Sequence, residues 1–556
     1  MSSRFLKLLV AGAFVMGASL ALALPMPKDI EAAVAAGQYT QAETMLREVL
    51  QEKPQSAKAH YELGQVLARG ARYSEAQTEL KKAKDIDPSF GMLADFDALV
   101  ARAHELGLKV MIDQVISHSS DQHPLFAESR ASREGPKADW YVWADPQDDG
   151  TVPNNWLSVF GGPAWEWDTR RRQYYLHNFL TSQPDFNFHN PAVQDWALSV
   201  LRFWLDRGVD GFRVDQPHAM AKAAGLPDHP YVDEAGAGFI EGRENPPMWF
   251  QEEVHPIFRR WRQILDSYPG DRAMCGEAYV LPLSFMALWV RADEFHQTFN
   301  FRFLDSMWEP QNLFDSINES FKAFDGVGAP STWVLSNHDV IRHASRMGGL
   351  KGRPTASDGV GPNDPQPDRL LGLRVARGAT MFTLGLAGAS YLYQGEELGL
   401  PEHTTLAPEY RQDPTYARTE GKRVGRDGCR VPLPWEAGVG AANGFNSTGA
   451  AWLPQPDVYA EYSRDRQEGV AGSTLELYKS ALRIRRELKL GEGSFEWLPQ
   501  FTNERALGYR NGDVLVIHNF GSDALPLPHG SVLLRSVAEE GGEDSIRAHE
   551  TVWVRV

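Results

Sequence analysis

The chain has 556 residues with ordinary apolar and charged fractions, and a formal net charge of −17. That length accommodates two or three domains around a large core, and the composition excludes a chain dominated by disorder. The acidic balance argues against a nucleic-acid or anionic-membrane surface and fits a soluble protein with a neutral or cationic ligand.

At the start, Arg4 and Lys7 precede an uncharged run from Leu8 to Leu24, with Ala21-Leu22-Ala23 placed like a cleavage site before Pro25. This pattern predicts a secretory signal peptide over residues 1–23 and a periplasmic or secreted mature protein. An uncleaved anchor is the alternative, but a span needs about 20 apolar residues and this run is short of that. No membrane attachment is expected of the mature form. Only Cys275 and Cys429 occur, far apart in sequence, which is not a disulfide framework.

Between Lys28 and Ser89 the sequence repeats at a step of 34: Tyr39 returns as Tyr73, Ala42 as Ala76, Leu46 as Leu80 and Pro54 as Pro88. Ala57, Leu63, Gly64, Ala76, Leu80, Ala83 and Pro88 fall where two closely packed antiparallel helices need small, apolar and breaker residues. Residues 28–89 thus resemble one full tetratricopeptide repeat preceded by about half of another. Three or more such units are usually needed for stability, which favours a dependent helical stub over a peptide-binding groove. A protein partner through this segment is the lesser reading.

Leu93 to Leu106 predicts an amphipathic helix, with Leu93, Phe96, Leu99, Val100 and Ala103 on one stripe and Gly107 as its stop. A buried strand is expected over Leu108–Ile112. Further apolar strands are expected at Val209–Val214, Ala273–Gly276, Phe295–Phe299, Trp333–Leu335 and Tyr391–Tyr393, with helical sequence between them. Strand and helix in alternation imply an α/β fold with a parallel sheet. Residues 119–195 are too long for a loop and predict an excursion domain. After a helix over Thr474–Leu488, short runs at Leu507–Tyr509, Val514–Asn519, Ser531–Leu534 and Thr551–Val556 predict an antiparallel β domain over 489–556.

Three carboxylates each follow one of the apolar runs: Asp215 in GFRVD, Glu277 in CGEAY and Asp339 in LSNHD. Acids just past successive parallel strands are what a barrel offers at its catalytic face, and acetal hydrolysis needs acids of differing ionisation. Together with Asp113 to His118 (DQVISH), Asn187 in QPDFN, PNNWLSVFGGPAW, YLYQGEE and RDGCRVPLPWE, these motifs resemble glycoside hydrolase family 13, the α-amylase superfamily. The resemblance covers Phe90 to Val556 and is nearest to bacterial α-glucosidases. It leaves a cytoplasmic location as the alternative to export.

The resemblance implies a retaining α-glucosidase acting on short α-glucosides through a covalent glucosyl-enzyme. Side chains alternate along a strand, so Arg213 and Asp215 share a face and the guanidinium should keep Asp215 ionised as nucleophile. Glu277 is the expected general acid/base, which requires a raised pKa in a drier setting. Asp339 would favour the oxocarbenium-like transition state. A retaining pair has its carboxyls about 5–5.5 Å apart. By resemblance His118 and His338 are neutral donors to sugar hydroxyls, Asp113 supports the pocket, Arg430 clamps the terminal glucose and Phe160 stacks on the ring. Cys275 reads as a small core residue.

Ser117 stands where amylases carry a calcium-binding asparagine, so neither metal nor cofactor is expected. Gln216-Pro217 matches neither the α-1,4 nor the α-1,6 pattern, and linkage stays open. A transglucosidase or isomerase on the same residues is the close alternative; a non-catalytic repeat-based scaffold is the distant one. The resemblance also implies that DQVISH ends the third barrel strand. Residues 90–488 would then be an incomplete (β/α)8 barrel, strands 3–8 only, joined near Asp85–Gly91 to repeat sequence. Two missing strands open one wall, and low stability and weak turnover are expected.

Overall fold

A computed structural model of the chain describes residues 25–35, 38–69, 72–87, 92–229, 246–350, 359–538 and 544–556. The expected signal peptide lies outside the described residues, as does part of the Asp85–Gly91 junction. The described residues fall into two compact units, those up to Arg102 with Gln122–Glu128, and Ala103–Asp121 with those from Ser129 onward.

In the first unit, helices Pro27–Ala35, Tyr39–Glu52, Ala57–Arg69 and Tyr73–Ile86 follow one another, and a further helix begins at Leu93. Ala42, Leu46, Leu63 and Ala76 meet in one core. A Cβ at Gly64 would lie 2.7 Å from Leu80 Cγ, so the third and fourth helices touch where the repeat pattern places its small residue. His60 Nδ1 lies 2.6 Å from Glu79 Oε2, tying the same two helices.

In the second unit, β1 (Met111–Val115) is followed by β2 (Trp143–Ala144), β3 (Trp165–Asp168) and β4 (Gln173–Leu176), a small antiparallel sheet in the order β2-β4-β3. Its Trp156, Trp165 and Leu176 pack with Met248 and Trp249, so residues well beyond 195 complete the excursion's core. The helix Pro191–Leu205 starts inside the expected excursion, where Asn190 caps it by accepting from the Ala192 amide.

The alternation then continues through β5 (Gly211–Asp215), β6 (Ala273–Glu277), β7 (Gln297–Thr298), β8 (Thr332–Val334) and β9 (Ala389–Tyr391). β1, β5, β6 and β7 form one parallel sheet in that order, and β8 pairs in parallel with β9. The Thr332 hydroxyl donates to the Thr298 carbonyl at 2.6 Å, joining β8 to β7. At the end of the sheet away from the three carboxylates, buried Asp210 collects the Val110 amide, His104, Lys109 and Arg272.

One expectation is corrected. The strand foreseen as buried over Leu108–Ile112 runs instead over Met111–Val115, where Met111 is 43% accessible and Val115 51%, and Leu108 before it is 58% accessible. An apolar run signals burial only where neighbours flank the strand on both sides, and β1 is the end of its sheet.

The chain closes with β10 (Glu496–Trp497), β11 (Ala506–Asn511), β12 (Val514–Asn519), β13 (Leu525–Pro526), β14 (Ser531–Arg535), β15 (Ser545–Ile546) and β16 (Thr551–Arg555). Five of these form an antiparallel sheet in the order β10-β11-β12-β16-β14. β12 is buried along its whole length. Tyr509, Val516 and Trp553 share a core with Phe382 and Ile484 from the helices Arg369–Leu384 and Thr474–Glu487. Among the described residues no helix is long and apolar enough to cross a membrane.

Candidate active site

The site is built on three adjacent strand ends. Within β5, Phe212 and Val214 are fully buried on one face, which turns Arg213 and Asp215 to the other. Gly211 is required by the close approach of β6: a Cβ there would sit 2.2 Å from the Ala273 carbonyl oxygen. In register, Asp113, Arg213 and Cys275 lie side by side across β1, β5 and β6, and Val115, Asp215 and Glu277 form the next row on the same face.

Arg213 is the hub of the four charges. Nη1 donates to Asp113 at 2.6 and 2.8 Å and to Asp215 Oδ1 at 2.7 Å, while Nη2 lies 2.8 Å from Glu277 Oε2. Burial works against its charge, but Glu277, Asp113 and Asp215 raise its pKa above the usual arginine value. Glu277 has its side chain only 10% exposed. Burial, reinforced by the Asp215 and Asp339 charges and by a hydrogen bond with the Asp215 side chain, pushes Glu277 up to about 8 against the opposing pull of Arg213. The two carboxyls stand opposite each other in register at the ends of β5 and β6.

Asp339 belongs to a second cluster whose charge reaches Glu277. Arg426 Nη1 and Arg430 Nη2 both donate to its Oδ1, at 2.7 and 2.9 Å, and His338 Nε2 lies 3.3 Å from its Oδ2. Arg430 also grips the His338 carbonyl at 2.8 Å. Arg426 is fixed from behind by buried Asp413, at 2.6 Å from Nε and 2.9 Å from its own amide. Phe160 approaches from the excursion, its ring 5.9 Å from the Arg426 guanidinium.

His118 is buried, and the Asp215 charge reaches it. Its Nδ1 lies 2.9 Å from Ser117 Oγ and its Nε2 3.2 Å from the Gln183 amide, so both ring nitrogens already have protein partners. Burial lowers its pKa, and burial leads the same downward shift at His338, as neutral donors require. Cys275 is pushed up to about 12 by burial, with its sulfur accepting from the Tyr391 hydroxyl at 3.0 Å. That is the chemistry of a core residue, not a nucleophile.

Three contributors escaped the sequence reading. Arg426 sits in the same RDGCR run as Arg430, and a second arginine there was the available signal. Gln216, singled out only for linkage, donates to Glu277 Oε2 at 3.0 Å. Lys222, a lone charge in the apolar run Ala219–Ala224, buries its ammonium against Asp185 Oδ2 at 2.8 Å. Asp185 also binds the Asn178 amide and side chain.

With this geometry in place, the matches to known proteins fall on the same residues. The family model described as "Alpha amylase, catalytic domain" spans residues 76–492, well over half of the chain. The chain belongs to the α-amylase family. Its fold is the TIM barrel of that family with a C-terminal antiparallel β domain. A tetratricopeptide repeat model matches residues 33–102. A probable alpha-glucosidase of Rhizobium meliloti is 39% identical over 460 residues, which are 79% of this chain and 78% of that protein. Among solved structures, the alpha-glucosyl transfer enzyme XgtA is 37% identical with a TM-score of 0.71, covering 84% of this chain and 87% of its own. A variant of the trehalulose synthase MutB is 27% identical with a TM-score of 0.69, covering 84% and 87%.

Proposed function

We propose that the chain is a retaining α-glucosidase acting on short, maltose-like or sucrose-like α-glucosides. The observation that carries this reading is the row Asp215–Glu277 on adjacent strands, with one carboxyl free to attack and the other holding a proton up to about pH 8. Asp215 attacks the anomeric carbon while the Glu277 proton passes to the departing glycosidic oxygen, leaving a glucosyl ester on Asp215. Glu277, now a carboxylate, takes a proton from water, whose oxygen displaces Asp215 and restores the α configuration. Asp339, held by two arginines, stabilises the positive charge on the sugar ring between these states. His118, His338, Arg430 and Phe160 hold the glucose, and Asp113 steadies Arg213. The test is hydrolysis of a nitrophenyl α-glucoside by the purified chain beside Asp215→Asn and Glu277→Gln; turnover that survives either change rules the assignment out.

Transfer of glucose to a sugar acceptor is the second reading, supported by the likeness to XgtA and MutB. Only exclusion of water separates it from hydrolysis, so product analysis at high maltose or sucrose decides between them.

The barrel, on this reading, holds strands 3 to 8 of the family's eight. What supports it is the strand order, in which β1 and β9 each have a single partner among the described residues, and the exposure of β1. An open wall beside the carboxylates lets water reach the glucose site, so turnover should be well below that of a complete barrel. Export rests on residues 1–23 alone; cleavage after Ala23 in a periplasmic fraction, read by N-terminal sequencing, tests it.

A further inference from the structure

We propose that Gln216 is a positioning residue for Glu277: its carboxamide and the Arg213 guanidinium together occupy Oε2, so that Oε1 carries the transferable proton. The inference rests on the acid/base reading of Glu277 given above.

Gln216 directly follows Asp215 at the end of β5. Its backbone lies at φ 43° and ψ 47°, a left-handed conformation that a side-chain-bearing residue rarely adopts. Such a conformation persists where the surroundings hold it, and here buried Pro217 opens a helical turn immediately afterwards. The turn sends the Gln216 side chain across to β6, where Nε2 lies 3.0 Å from Glu277 Oε2. Arg213 Nη2 lies 2.8 Å from the same oxygen.

A carboxylate oxygen has two lone pairs; the Gln216 N–H takes one, and the Arg213 guanidinium charge, 2.8 Å away, faces the same oxygen. The reversed carboxamide would set its own oxygen against Oε2, an oxygen that the adjacent guanidinium keeps unprotonated. The other charged groups facing Glu277 are Asp215 on β5 and Asp339 after β8, with Asp113 on β1 acting through Arg213. The side-chain hydrogen bond that reaches Oε2 comes from Gln216. The proton of the acid form therefore resides on Oε1. It leaves Oε1 for the glycosidic oxygen as that bond breaks, and Oε1 takes the water proton in the second step. Both donors remain in place throughout, and they hold the carboxyl plane fixed.

The measurement is infrared difference titration of the protonated Glu277 carboxyl, wild type minus Glu277→Gln, repeated in Gln216→Met and Gln216→Gly backgrounds. Met keeps the length of the side chain without its donors. Gly removes the donors and also suits the left-handed backbone, so folding is preserved. Both changes should raise the Glu277 midpoint by about one pH unit, because a donor to the charged form is lost. In both, kcat near neutral pH should fall about tenfold with KM moved less than about twofold. A folded variant with an unmoved midpoint overturns the proposal, and so does a shift in one variant but not the other, since both lack the donor. If Glu277→Gln keeps its turnover, the acid/base reading fails separately while the midpoint remains readable.

Discussion

Arg213 holds Glu277 on one side and Asp113 on the other at nearly the same distance, 2.8 and 2.6 Å, yet the two partners live in different media. The Glu277 side chain is 10% exposed and that of Asp113 is 49% exposed. The difference comes from the strands beneath them. β6 lies between β5 and β7, whereas among the described residues β1 pairs with β5 alone. Bond length is therefore a poor guide to what a charge pair contributes; how far the pair is removed from water decides it. The acid that must hold a proton is on the dry side, and the one that only braces the arginine is on the wet side.

The largest effect is expected at the shared arginine. Arg213→Met leaves Asp215 without its counter-charge beside the buried Glu277 carboxyl, and should cost about 3–5 kcal/mol of stability. Glucoside hydrolysis should fall at least a hundredfold, on the order of what one lost electrostatic stabiliser costs. A thermal melt superimposable on that of the wild type would break the dry-side argument. Next comes Lys222→Met, which strands Asp185 in the interior and should cost about 3 kcal/mol. Adding Asp185→Asn should recover part of that loss in a double-mutant cycle, because the second change removes the uncompensated charge. Failure to couple would mean that burial is not what gives this pair its energy.

Much of this was legible in the chain. Alternation within GFRVD puts Arg213 and Asp215 on one face, and the ordered motifs place Asp215 and Glu277 at the ends of adjacent strands, while Asp339 follows β8, one strand further on than expected. The repeat's small and apolar positions likewise mark Gly64 and Leu80 for close helix packing, and the two meet. What local pattern could not carry was the neighbourhood. Leu108 and Met111 read as buried because apolar runs usually are, but exposure depends on whether a second strand lies alongside. Arg426 and Arg430 are equivalent as letters; only the turn Asp427–Cys429 between them brings both onto Asp339. Gln216 reaches Glu277 through a left-handed backbone that no propensity would assign to glutamine.

The pH dependence gives a third, smaller effect with a defined sign. Glu277 is pushed from an ordinary value of 4.5 up to about 8 in the folded chain. Between those values the native state keeps a proton that the unfolded chain releases, so stability falls as pH rises through this window. The contribution is at most a few kcal/mol. Glu396 and Glu402, raised by burial to about 8 and about 7, slope the same way in every variant. The difference between wild type and Glu277→Gln therefore isolates Glu277: from pH 5 to pH 8 the wild type should lose more melting temperature than the variant. Parallel curves would place Glu277 in water after all.

Asp113→Asn should do least. On the wet side the pair with Arg213 competes with solvent, and exposed pairs contribute about 0–1 kcal/mol. Arg213 keeps both of its other partners, so the melt should move by about a degree or two and the glucosidase pH profile should hold its shape. This small result is the sharpest check on the edge of the sheet. A loss of about 2 kcal/mol or more would mean that Asp113 is desolvated in solution, as a buried charge partner is. Something would then be covering β1, and hydrogen exchange at Met111–Val115 would be as slow as at Gly211–Asp215. If the loss is small and β1 exchanges faster than β5, the strand is an open edge and the wall beside the carboxylates is missing.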